Sequence, residues 1–99
     1  MERRFVHVTF RGRVQGVGFR AFVERRAQER GLDGWVRNRR DGSVEAVLAG
    51  PASGVETVLN ACREGPPGAV VETVECREEE AAGLVSSNRP SGFFVMPTV

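Results

Sequence analysis

Along residues 5 to 11, FVHVTFR, apolar and polar positions alternate: Val6, Val8 and Phe10 on one side, His7, Thr9 and Arg11 on the other. A period of two predicts a half-buried strand. From Phe19 the period lengthens. Phe19, Phe22, Val23 and Ala27 recur at helical spacing, ERRAQER supplies the polar face and Gly31 the stop, predicting a helix over roughly 20–30. Residues 34–50, GWVRNRRDGSVEAVLAG, read as strands near 33–39 and 43–49 joined at RRDG, since Asp-Gly is a strong hairpin signal. SGVE, residues 53–56, matches a capping box, with Ser53 at the cap and Glu56 three later. Val55, Val58, Leu59 and Cys62 then repeat helically until Gly65-Pro66-Pro67 ends the helix.

The next segment, AVVETVECREE, alternates again, but neither parity is cleanly apolar. Val70, Glu72, Val74 and Cys76 share one side; Val71, Thr73, Glu75 and Arg77 share the other. A strand is predicted there without assigned faces. Residues 79–91 read as a loop, and GFFV, residues 92–95, as a short closing strand. The order is β-α-β-β-α-β. It predicts an α+β, ferredoxin-like βαββαβ sandwich: one domain over 1–99, an antiparallel sheet with two helices on one face. Strands one and three are its expected centre.

Composition narrows the function. Lys+Arg number 14 and Asp+Glu 13, for a net charge of +1. All the basic residues are arginine. A balance this near zero argues against a general nucleic-acid binder and offers nothing to an anionic membrane. Cys62 and Cys76 form no C-x-x-C pair, so both are expected to be small buried hydrophobes. The start lacks the apolar core of a signal peptide, and no apolar run approaches a membrane span. A cytoplasmic monomer is the expectation.

Charge matters locally instead. In FRGRVQGVGFRAF, residues 10–22, Gly12, Gly16 and Gly18 lie among Arg11, Arg13 and Arg20. This loop joins strand to helix. Glycines reach φ > 0 and turn successive N–H groups inward, and with the free N–H groups of a first helical turn they favour an anion. Arg20 falls near that first turn, where the macrodipole disfavours a cation; a bound anion reverses the sign. Its guanidinium fork matches two phosphate oxygens. Residues 14–20 therefore read as a phosphate cradle clamped by Arg20, or else as a tight connection with an incidental arginine. No G-K-[ST] and no G-x-G-x-x-G is present. The loop holds no Cys, Ser, Thr, His, Asp or Glu, so water must attack directly and the leaving group must need no protonation. A carboxylic–phosphoric mixed anhydride fits, because in-line phosphoryl transfer needs mainly positioning and charge stabilisation. Asn38, ending the second strand, is either turn chemistry or the amide that orients that water.

At these residues the chain resembles a known family. GRVQGVGFR, Gly12 to Arg20, is similar to the first signature of the acylphosphatases. Gly34, Trp35, Val36, Asn38, Gly42, Val44 and Gly50 meet every fixed position of the second. The resemblance implies that the backbone of Val14, Gln15, Gly16, Val17, Gly18, Phe19 and Arg20 binds the substrate phosphate. Arg20 would be the essential phosphate-binding arginine and Asn38 would position the attacking water. It implies hydrolysis of acyl phosphates to carboxylate and phosphate without metal or cofactor, with phosphate or sulfate as competing anion. Phe10 stands where the pattern more often has an aliphatic residue, and the segment after Glu79 matches loosely.

Other residues carry plainer expectations. Trp35 is expected to pack, His7 to lie on the sheet surface, and Gln15 to hold the loop by hydrogen bonds or face outward. Three rival functions share this fold. A nucleic-acid-binding sheet would need aromatics on both central strands, and SVEAVL has none. A non-catalytic regulatory domain would bind a small anion without needing Asn38 beside Arg20. The third is a detached relative of the acylphosphatase-like domain of large carbamoyl-transferring maturation proteins; the further domains and zinc-type cysteine pairs that such proteins add are not expected in this chain.

Overall fold

The computed structural model describes residues 2–78 and 92–99. Its elements are β1 (Arg3–Arg13), α1 (Phe19–Glu29), β2 (Asp33–Asn38), β3 (Val44–Pro51), α2 (Ala52–Glu64), β4 (Val70–Glu78) and β5 (Phe93–Val95). The sheet runs β4-β1-β3-β2-β5. Its first four strands are antiparallel, with β1 and β3 at the centre as expected. The closing strand departs from the expected all-antiparallel sheet. β5 lies parallel to β2, with Gly34 opposite Phe93 and Val36 opposite Val95, so the sheet is mixed.

β1 outruns the alternation that announced it. Arg3 and Arg4 pair with Pro51 and Gly50, and Gly12 and Arg13 with Val71 and Val70. These end residues pair through backbone and carry no apolar signal. Along the middle, Val6, Val8 and Phe10 face the helices together with Val44, Ala46 and Leu48 of β3 and Val36 of β2. Phe19, Phe22, Val23 and Ala27 of α1 and Val55, Val58, Leu59 and Cys62 of α2 complete this core from above. The Phe10 ring meets that of Phe19 at a centroid distance of 5.0 Å, which ties the strand before the glycine loop to the helix after it.

The start of α2 corrects the capping-box expectation. The helix begins at Ala52 behind Pro51, so Ser53 lies inside the first turn and makes no cap bond. Pro51 ends β3 with φ −55 and ψ 138, which launches the helix before Ser53. Glu56 is engaged elsewhere, accepting from Arg4 Nη1 at 2.8 Å. Gly65 closes the helix as expected.

β4 explains its own ambiguous pattern. Its register against β1 shifts between Arg11 and Gly12, placing Thr73 opposite Arg11 and Val71 opposite Gly12. Glu72 is the extra residue of this bulge, which switches the side-chain parity. Val71 and Val74 thus both pack against the core. Cys76 corrects another expectation: it is exposed, at the sheet edge, whereas Cys62 is fully buried. The loop expected over 79–91 lies outside the described residues. No helix among those described is long and apolar enough to cross a membrane.

The outer face of the sheet carries a charged cluster. Glu45 of β3 is only 6% exposed. Its carboxylate accepts from Arg37 Nε at 2.7 Å and Arg39 Nη1 at 3.2 Å, and pairs with His7 Nε2 at 2.5 Å. His7 thus lies on the outer face as expected, but as a bonded member of a cluster. Trp35 lies on the same face, its ring covered by the Arg37 guanidinium at 4.7 Å.

Candidate functional site

The turn between β1 and α1 is held at both ends. Val14 and Phe19 are buried at 1% exposure each, while Gly16 and Gly18 are exposed between them. Gly16 (φ 74) and Gly18 (φ 78) take left-handed conformations that residues with a Cβ rarely adopt. Gly18 is also the N-cap of α1, and no side chain caps that end. The first turn holds no acidic residue and contains Arg20 instead. Among the described residues, the backbone N–H groups from Gly16 to Ala21 find no acceptor. The positive end of a helix is thus left open, with its donors unspent.

Gln15 fastens the middle of the turn. Its Nε2 donates to the carbonyl oxygens of Arg39, at 2.7 Å, and Ser43, at 2.9 Å. Of the two expectations for Gln15, the structure selects the tether. It joins the glycine turn to the β2–β3 hairpin just past Asn38. That hairpin is fixed in turn by Asp41, whose carboxylate accepts from the Ser43 N–H at 2.9 Å and hydroxyl at 2.6 Å. These bonds, with the Arg11 charge beside it, lower the Asp41 pKa to about 2.

Asn38 ends β2 opposite Val44. The C-terminal segment holds its other edge: the Val99 N–H donates to the Asn38 carbonyl at 3.2 Å, and the Arg40 N–H to that of Val99 at 2.7 Å. Nothing in the sequence marked this pairing, because residues 96–99 carry no alternation. The side chain of Asn38 reaches into the same depression as the turn. Its Oδ1 is buried and accepts no hydrogen bond from any described residue. A buried amide oxygen without a donor is costly, and proteins rarely leave one without a reason.

The depression has a volume of about 310 Å³. Val14, Gln15, Gly16, Gly18, Phe19 and Arg20 form one wall, and Asn38 faces them. Of the predicted residues, only Val17 falls outside this lining; it packs against the core below. The Arg20 guanidinium makes no hydrogen bond or ion pair with any described residue, so it is free to meet a ligand. Three further lining residues were missed by sequence reasoning: Ala21, Glu24 and Val95. Glu24 lies within ERRAQER and reads there as solvated helix face, though its i, i+4 spacing from Arg20 was a signal. Val95 belongs to the short closing strand, to which sequence reading gave no role.

The site combines a free guanidinium, a row of unspent N–H donors and an amide oxygen lacking a donor. That set suits a tetrahedral oxyanion and a water molecule at once. Among the described residues, no group of three or more His, Cys, Asp or Glu could hold a metal ion.

The family model named Acylphosphatase matches residues 6–89. An acylphosphatase of Synechococcus sp. is 51% identical over 98 residues, covering 99% of this chain and 98% of its own. The structure of an acylphosphatase from Coxiella burnetii superposes with a TM-score of 0.83 at 36% identity, over 95% of this chain and 93% of that one. T. kodakarensis HypF matches with a TM-score of 0.78 at 28% identity, covering 99% of this chain but 12% of its own.

Proposed function

The chain belongs to the acylphosphatase family, and from that premise we propose how this site hydrolyses acyl phosphates. The substrate phosphoryl group lies in the turn from Val14 to Arg20. Its oxygens accept from the unspent N–H groups and from the Arg20 guanidinium. Both sets of donors are in place before substrate arrives, so charge developing in the transition state meets dipoles that need no reorganisation.

Asn38 accepts a hydrogen bond from water on its buried Oδ1 and aims the water oxygen at phosphorus. As that oxygen bonds to phosphorus, the bond from phosphorus to the acyl oxygen breaks. The acyl half leaves as a carboxylate with the bonding pair, and the proton of the water passes to a phosphate oxygen. A carboxylate leaves without protonation, so no general acid is required at the turn.

The orphaned Oδ1 of Asn38, buried in the same depression as Arg20, carries this reading. A regulatory domain that only binds anions would need the turn and Arg20, and would leave that oxygen unexplained. We take a single chain as the working unit and inorganic phosphate or sulfate as competing anions. The test is hydrolysis of benzoyl phosphate in EDTA. Arg20→Ala should lose turnover and phosphate protection against thermal unfolding together. Asn38→Ala should lose on the order of 10²–10³ in kcat, the usual cost of one preorganised polar group, and keep phosphate protection. Activity surviving either change removes that residue from its role. A wild type that binds phosphate but turns nothing over favours the regulatory domain.

A further inference from the structure

Beyond the turn, the depression continues as a short groove between α1 and β5. Ala21 and Glu24 border it on the helix and Val95 on the strand. One turn further on, Gln28 Nε2 donates to the Phe93 carbonyl at 3.4 Å, bridging helix to strand and closing the groove. Ala21, Glu24 and Gln28 fall on one stripe of α1, so the groove runs about 10 Å along the helix at 1.5 Å per residue.

Two charged side chains line the whole depression, Arg20 and Glu24. If the phosphoryl group engages Arg20, the acyl half is left with Glu24 and two apolar neighbours. Glu24 is half-buried and makes no ion pair or hydrogen bond with any described residue. Val95 is 41% exposed and offers the groove an apolar surface. A carboxylate beside a site built for an anion weakens anion binding as a whole. Its place in the groove, away from the glycine turn, sets it beside what the substrate carries besides phosphate.

We propose that Glu24 is a specificity-determining residue: the groove between α1 and β5 accepts neutral acyl groups and disfavours acyl groups bearing a second negative charge. This rests on the phosphoryl group lying in the turn. Repulsion between two unit charges ~6 Å apart at a wet protein surface corresponds to roughly three- to tenfold in kcat/KM. Salt screens charges at such a surface, so the discrimination weakens as ionic strength rises.

The experiment compares benzoyl phosphate, neutral in its acyl half, with succinyl phosphate, which carries one additional carboxylate. For the wild type and Glu24→Gln, kcat/KM is measured for both at low and high salt. The succinyl-to-benzoyl ratio should rise about three- to tenfold in the variant at low salt, and the gap between the two proteins should narrow at high salt. Glu24→Lys should raise the ratio further. An unchanged ratio in both variants, with wild type active on benzoyl phosphate, overturns the role of Glu24 and leaves the phosphate site standing. A wild type inactive on both substrates overturns both readings.

Discussion

Replacing Glu45 by Gln removes one charge and little volume from the outer face of the sheet, and its consequences follow from the contacts described. Three side chains lean on this carboxylate: Arg37 Nε at 2.7 Å, Arg39 Nη1 at 3.2 Å and His7 Nε2 at 2.5 Å. Hydrogen bonds to charged groups contribute ~1.5–3 kcal/mol each when buried. Arg39 is 43% exposed and its pair deserves little weight. Arg37 and His7, at 28% and 18%, lie between the limits. The amide retains one acceptor, and the freed cations can turn to water. The net loss is about 2 kcal/mol, or roughly 10 °C in Tm for a chain of this size.

The pH dependence gives the sharper check. Burial alone would raise the Glu45 pKa; the hydrogen bonds from His7 and Arg37, with their charges, outweigh it and leave it lowered from 4.5. A carboxylate with a depressed folded-state pKa contributes fully above its unfolded value and loses that contribution as pH falls through the folded one. The gap in Tm between wild type and Glu45→Gln should therefore be full at pH 7, start to close below about pH 4.5 and vanish once the native carboxyl is protonated. Thermal unfolding followed by circular dichroism from pH 7 to pH 3 measures it. A gap that stays constant across that range would show that the loss does not come from the charge of Glu45, and a variant as stable as wild type at pH 7 would show that the cluster contributes nothing net.

Gly34→Ala should cost ~3 kcal/mol or more in urea unfolding, because a Cβ there would stand 1.9 Å from the Val47 carbonyl oxygen, at φ 135. Neither atom can move without parting β2 from β3. Gly16→Ala meets nothing within 4 Å and should cost only the ~1–2 kcal/mol of a left-handed backbone. A thiol-reactive disulfide reagent should titrate one cysteine in the native protein, the exposed Cys76, and two in denaturant. Burial raises the Cys62 pKa to about 12, so fast modification of both thiols in native buffer would contradict the core described.

How much of this was legible depended on whether a segment obeys one period throughout. The core of β1, the buried face of α1 and the i, i+3, i+4, i+7 row of α2 each do, and each was read within a few residues. β4 does not, because its bulge exchanges parities midway. Ser53 and Glu56 have capping-box spacing, but spacing is blind to Pro51 starting the helix sooner and to Arg4 claiming the glutamate. Cys76 shares a parity with Val74, yet whether a parity is covered depends on strand order, and β4 proved to be an edge. Of the candidate site, residue type and position pointed to the turn and Arg20, while Asn38 was singled out by the family resemblance; the structure gathers all three around one depression. The places of Val95 and of the Val99 bond to Asn38 were not readable, since both depend on the C-terminal segment lying along β2, and Glu24 was passed over as one more charge on a solvated helix face.

The same contrast bears on why the turn is built of glycine at all. Three glycines in seven positions suggest slackness, and slack donors would lose their advantage in ordering around each substrate. The structure opposes that slackness at both ends and in the middle. Val14 and Phe19 are buried, the Phe19 ring lies against Phe10, and Gln15 is bonded twice to the hairpin that carries Asn38. Gly16 and Gly18 then provide the left-handed backbone angles that the turn requires, without adding freedom to a segment already pinned. The Gln15 tether also fixes the distance between the two halves of the site. Its amide joins the glycine turn to the hairpin that follows Asn38, so in the proposed mechanism folding itself sets the spacing between the anion donors and the water-orienting amide.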